Sequence, residues 1–138
     1  MNFETIINWL ENKVNYCLSE LSQRLGVDWI VEQGTSGIWT YRKWNSGIAE
    51  CWGRLTETKT NYTTVNGFYG YYVDVTLPSD LFTDIPNIYY SARIGGGFAL
   101  TGTKTSATTS TKIRVFALST ESGSQSTKWD ISCIGTWK

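Results

Sequence analysis

Trp39-Thr-Tyr-Arg-Lys-Trp44-Asn-Ser-Gly-Ile-Ala-Glu-Cys-Trp52-Gly53 is the stretch on which the fold turns. Two runs rich in aromatic and β-branched residues flank Asn45-Ser46-Gly47, a short connection with glycine where a positive φ is needed, so the segment reads as a tight β-hairpin. A three-residue loop sets Trp44 opposite Ile48, Arg42 opposite Glu50 and Thr40 opposite Trp52. Arg42 and Glu50 then form a cross-strand ion pair flanked by Trp44 and Trp52. A two-residue loop would instead bring Lys43 to Glu50. In either register a cation can lie against an indole. The opposite face carries Trp39, Tyr41, Ala49, Cys51 and Leu55.

The hairpin belongs to a chain with seven tryptophans in 138 residues. Each such ring hides roughly 150–250 Å² when buried, so the segment needs a large apolar partner surface. One reading makes the hairpin a carbohydrate platform, with indoles stacked on sugar C–H faces and Arg42 and Glu50 gripping hydroxyls. The favoured reading puts the rings into the core or a subunit interface, with the ion pair setting register, because both faces of the hairpin are apolar.

From Asp28 onward the pattern is β. Strands are expected near 37–44, 48–57, 60–65, 68–77, 87–94, 98–102, 111–119 and 127–137. Tyr71, Val73, Val75 and Leu77 share one face of their strand. Ile113, Val115 and Ala117 do so in another, and Trp129, Ile131, Cys133 and Gly135 in a third. Asn66-Gly67 is a type I′ turn signal. Polar loops are expected at 101–111 and 119–127, and a glycine turn at 95–97. Eight short antiparallel strands imply a mainly β chain: an antiparallel β-sandwich or jelly-roll-like knob spanning 28–138.

Residues 1–26 differ. Phe3, Ile7, Leu10, Val14, Leu18, Leu21 and Leu25 recur at steps of three and four, and Gly26 suits a C-terminal cap. This amphipathic helix either lies across its own β-domain or self-associates as a short coiled coil. A lone helix ahead of an all-β body favours self-association, as an oligomerisation stalk.

Composition excludes several functions. Twelve basic and twelve acidic side chains give zero formal net charge, which argues against nucleic acid and against docking on an anionic membrane. No run is apolar for the ~20 residues that membrane insertion needs. The first residues carry no basic n-region, so no secretory signal is expected. Three cysteines far apart, Cys17, Cys51 and Cys133, are no disulfide framework, and they read as reduced and mostly buried thiols. Without histidine there is no Ser-His-Asp or Cys-His nucleophile. Carboxylates for a glycosidase exist (Glu50, Glu57, Asp74, Asp80, Asp84, Asp130), but none sits in a recognisable arrangement. Asp80 and Asp84, in a loop between the only two prolines, could offer oxygens to calcium. The plainer reading is a solvated loop with Asp80 capping a turn. No enzyme activity, cofactor or metal is expected.

The segment from Trp29 to Gly53, and more loosely Cys133-Ile-Gly-Thr-Trp-Lys138, resembles bacteriophage tail-fibre and minor structural proteins, including prophage proteins of Gram-positive gut bacteria. The resemblance implies a C-terminal, receptor-binding head domain of a homotrimeric virion protein. Such a protein is made in the bacterial host cytoplasm, contacts other virion structural proteins, and recognises a host cell-wall or surface polysaccharide. The expected glycan contacts are Tyr69, Tyr71, Tyr72, Tyr89, Tyr90 and Arg93. Ile7, Leu10, Val14, Leu18, Leu21, Leu25, Trp39, Trp44, Trp52, Arg42 and Glu50 are expected to build the trimer or its structure. The alternative is a purely structural head-fibre or tail accessory protein that binds no glycan.

Overall fold

The computed structural model of the protein describes residues 2–103 and 107–138. One helix, α1 (Phe3–Leu25), precedes nine strands: β1 (Ile30–Ser36), β2 (Trp39–Trp44), β3 (Ile48–Thr60), β4 (Thr63–Val65), β5 (Phe68–Thr76), β6 (Asn87–Ile94), β7 (Ala99–Thr103), β8 (Lys112–Ser119) and β9 (Ser124–Thr136). They form two antiparallel sheets, one in the order β1-β2-β3-β9-β6 and the other β4-β5-β8-β7. The protein is thus mainly β, a sandwich with a leading helix.

Alternation along the strands builds the core. Tyr71, Val73, Val75, Ile113, Val115 and Ala117 point inward from the smaller sheet. Trp39, Ala49, Cys51, Ile94, Trp129, Ile131 and Cys133 meet them from the larger one. Trp39 also donates its indole N–H to the Thr76 carbonyl at 2.7 Å, a hydrogen bond from the first sheet to the last residue of β5. Cys51 and Cys133 are opposed across β3 and β9, and the neighbouring Cys133 thiol, with burial, pushes the Cys51 thiol's ionisation upward. Two of the three thiols are buried, and Cys17 is the exposed one, on α1.

The turn chemistry acts as its residues require. Asn66 and Gly67 both have positive φ (49° and 83°), as a type I′ turn demands, and Gly47 sits at 98°. β1 was not expected as a strand. Glu32-Gln33-Gly34-Thr35-Ser36 is polar, yet an edge strand needs only backbone partners, and β2 supplies them. Polar Ser124-Gln125-Ser126 likewise joins β9 by pairing with the far end of β3. The polar loop expected at 119–127 therefore shrinks. Of the loop expected at 101–111, residues 101–103 belong to β7, and 104–106 lie outside the described residues.

The proline-bracketed loop is no solvated excursion. Pro78, Leu81, Phe82 and Pro86 are buried, and Leu81 and Phe82 close one end of the core. The loop is tied to the end of β9 by Thr83, whose amide donates to the Thr136 carbonyl at 2.8 Å, while Asp84 accepts from the adjacent Ile85 amide at 2.7 Å and Asp80 makes no hydrogen bond among the described residues. No three potential ligand side chains gather around a metal position among the described residues.

α1 stands apart. Asn2 caps it by accepting from the Thr5 amide at 2.8 Å, and Gly26 ends it with φ 64°. No residue of α1 is buried, and the helix contacts none of the strands. It does not lie across its own β-domain. No helix among the described residues is long and apolar enough to cross a membrane.

Candidate functional site

The β2–β3 hairpin adopts the three-residue-loop register, with Arg42 opposite Glu50 and Thr40 opposite Trp52. Its two faces divide the two readings of the aromatics. Trp39, Ala49 and Cys51 point into the sandwich and are buried. Trp44 and Trp52 point the other way and stay half-buried. Arg42 lies 4.9 Å from the centre of the Trp52 ring and 3.6 Å from Glu50, and Glu50 accepts from the Trp44 indole N–H at 3.4 Å. The hairpin tip is sealed by the chain end, where Trp137 donates its indole N–H to the Trp44 carbonyl at 2.8 Å. Most of the tryptophan surface is therefore covered within one chain. Only Trp9, on α1, is more than half exposed. Of the two places the favoured reading allowed the hairpin rings, core or subunit interface, Trp39 takes the core.

The outer face of the larger sheet carries a shallow groove of about 590 Å³, lined by Trp52, Arg54, Tyr89, Asp130 and Ser132 and floored by β3, β9 and β6. Asp130 sits between two guanidiniums. It accepts from Arg54 Nε at 2.5 Å and from an Arg93 terminal nitrogen at 2.9 Å. Arg54 first, and Arg93 with it, hold the Asp130 carboxyl below the usual carboxylate range. Tyr89 stands 62% exposed at the groove's edge.

The six residues expected to contact glycan do not converge. Tyr89 lines the outer face of the larger sheet beside Trp52, and Arg93, two rows away on the same face, reaches the groove through Asp130. Tyr71 is fully buried, and its hydroxyl donates to the Glu121 carbonyl at 2.6 Å, so no surface ligand can touch it. Tyr69 packs against the core. The Tyr90 hydroxyl crosses between the sheets, donating to the Phe116 carbonyl at 2.8 Å and accepting from the Phe116 amide at 3.1 Å. It ties the layers together. Tyr72 is on the outer face of the smaller sheet, with Arg114 4.3 Å above its ring. Strand parity could have separated Tyr89 from Tyr90 and Tyr71 from Tyr72. The contribution of Arg54 and Asp130 rests on a pairing between strands 76 positions apart, which no local pattern announces.

Glu50, Glu57, Asp74 and Asp130 are each paired with a basic side chain. Asp74 forms a two-pronged bond to Arg114, 2.6 Å on each prong, and Glu57 pairs with Lys59 at 2.7 Å. The shifted carboxyls, Asp28, Glu32, Asp74 and Asp130, all move downward. A glycosidase's general acid must move the other way.

No protein-family model matches the sequence, and no curated protein matches it. Solved structures do. A Pseudomonas aeruginosa R1 pyocin fibre, represented by its C-terminal part, superposes with a TM-score of 0.53 at 10% identity, over 83% of this chain and 30% of that one. An N-truncated R1-type pyocin tail fibre gives 0.55 at 9% identity, over 85% of this chain and 94% of that one. At such identity the likeness is one of architecture, and the fold of this chain is that of the R1-type pyocin tail fibres.

Proposed function

We propose that the protein is a virion fibre-head protein, made in the bacterial host cytoplasm, that acts as a homotrimer. In this reading α1 forms a short three-stranded stalk, and the sandwich, from residue 28 onward, is the distal knob that binds a host cell-surface polysaccharide. The fold shared with the pyocin tail fibres supports it. The observation that carries it is α1 itself. Ile7, Leu10, Val14, Leu18, Leu21 and Leu25 are 38%, 45%, 56%, 40%, 54% and 70% exposed, with no strand against them. A stripe of that kind in water wants a partner, and copies of the same helix supply one of matching length, about 35 Å at ~1.5 Å per residue.

A specific observation favours the structural alternative. The smaller sheet exposes Tyr62 and Val65 at its β4 edge and Leu100, with Phe98 at 75% exposure just before it, at its β7 edge, which suits contact with another protein. One experiment separates the readings. Light scattering of the intact chain should give three times 15.6 kDa, and the labelled protein should bind host cells in a way that excess host polysaccharide competes away. A monomer at micromolar concentration overturns the stalk. Binding indifferent to polysaccharide overturns adhesion and leaves a virion structural protein.

A further inference from the structure

Strand register orders the outer face of the larger sheet into rows. Thr40, Trp52, Ser132 and Tyr89 form one row across β2, β3, β9 and β6. On one side of it run Arg42, Glu50, Ile134 and Asn87. On the other run Arg54, Asp130 and Ser91, and then Thr56, Lys128 and Arg93. Trp52 and Tyr89 are two strand spacings apart, about 10 Å at the backbone, with only the small Ser132 between them. Two aromatic walls and a serine floor leave a slot open to solvent, one that admits a flat ring.

The charges around this slot do not cancel. Arg54 and Arg93 share a single carboxylate, so the trio keeps one formal positive charge. Arg54 engages Asp130 through Nε and Arg93 through one terminal nitrogen, and both side chains are 61% exposed. Their remaining N–H donors have no hydrogen-bond acceptor among the described residues. Lys128, in the adjacent row, has no ion-pair partner among the described residues either. On the far side of Trp52, Arg42 supports the indole and Glu50 neutralises Arg42. The ring is thus braced on the side away from the unneutralised cations.

We infer that this groove is the knob's sugar-binding site and that it takes an acidic sugar, a pyranose bearing a carboxylate or phosphate. The pyranose lies against Trp52 opposite Tyr89. Its acid group meets the donors of Arg54 and Arg93 that Asp130 leaves unused, where a guanidinium fork fits either oxyanion. Arg42 is a positioning residue that fixes the indole. This assignment rests on the adhesion reading above and names the surface and the ligand charge for it. A neutral sugar would leave the positive charge unanswered. Nucleic acid is disfavoured by the zero formal charge of the whole chain.

The test uses the intact chain on an array of oligosaccharides bearing uronic acid, sialic acid or sugar phosphate beside neutral ones, together with binding to host cells. The wild type is expected to retain acidic glycans, less strongly as salt is raised. Trp52→Ala and the double substitution Arg54→Gln with Arg93→Gln should each weaken that binding at least about tenfold. Tyr89→Ala should weaken it less, and Trp52→Tyr should restore part of it. Unchanged thermal unfolding of the variants confirms that they fold. Glycan binding that these substitutions leave intact, or that is confined to neutral sugars, overturns the assignment while adhesion stands. Loss of oligomeric mass in Trp52→Ala makes the face an interface between copies and also overturns it. Host cells bound with no glycan dependence at all overturn the adhesion reading itself.

Discussion

α1 and the sandwich bury their apolar residues in opposite ways. In the sandwich, alternate residues of β5, β8, β9 and the hairpin disappear between two sheets, and Tyr71, Ile113, Val115, Ala117 and Trp129 have no solvent contact at all. In α1 an equally regular apolar series finds nothing inside its own chain. The difference teaches that a periodic pattern states which face wants covering and says nothing of what covers it. Strands meet their partners through turns a few residues away. A helix on which no strand packs leaves its apolar face uncovered within the chain.

The largest expected effect tests the covered side of this contrast. Trp39→Ala removes a buried indole together with its bond to Thr76, and should cost roughly 3–5 kcal/mol in denaturant unfolding. A loss within experimental error would mean that the sandwich does not depend on the inward face of the hairpin.

Acid tests the surface charges next. Asp28, Glu32, Asp74 and Asp130 have folded-state pKa values lowered from their ordinary ones. Their stabilisation is therefore complete above the unfolded carboxylate range and is lost as pH falls through the folded values. Stability should stay flat on descending from neutrality and fall below about pH 4, as Asp130 releases Arg54 and Arg93. A decline beginning near neutrality would contradict this order.

The Arg42–Glu50 pair tests one contact. With its side chains 39% and 29% exposed, a double-mutant cycle should return only about 0.2–1 kcal/mol, since solvent screens it. A larger coupling would show the hairpin register leaning on charge rather than on Trp39.

The smallest expected effect on the sandwich comes from α1. Leu10→Glu with Leu18→Glu should lower the mass seen by light scattering and leave the near-ultraviolet circular dichroism of Trp39 and Trp129 in place. Loss of that signal would show that the two parts do not fold independently.

Much of the fold was readable along the chain. The helix and its glycine cap, the type I′ turn at Asn66-Gly67, the β2–β3 hairpin and the inward faces of β5, β8 and β9 all follow from spacing and turn chemistry, while the hairpin's register was settled by the structure. These are local causes, acting over a few residues. β1, the polar start of β9 and the buried Leu81-Phe82 plug escaped notice. Backbone pairing with a distant strand places the first two, and an open end of the core claims the third.

The groove divides along the same line. Alternation within β3 already turned Trp52 away from Cys51 and Leu55, and composition ruled out histidine-based chemistry. Bringing Arg54, Asp130 and Arg93 together took the pairing of β3, β9 and β6, whose residues lie far apart along the chain. Side-chain period is a property of each strand alone, whereas strand order is chosen by the burial of the whole core, so the aromatic wall could be foreseen and its charged neighbours could not.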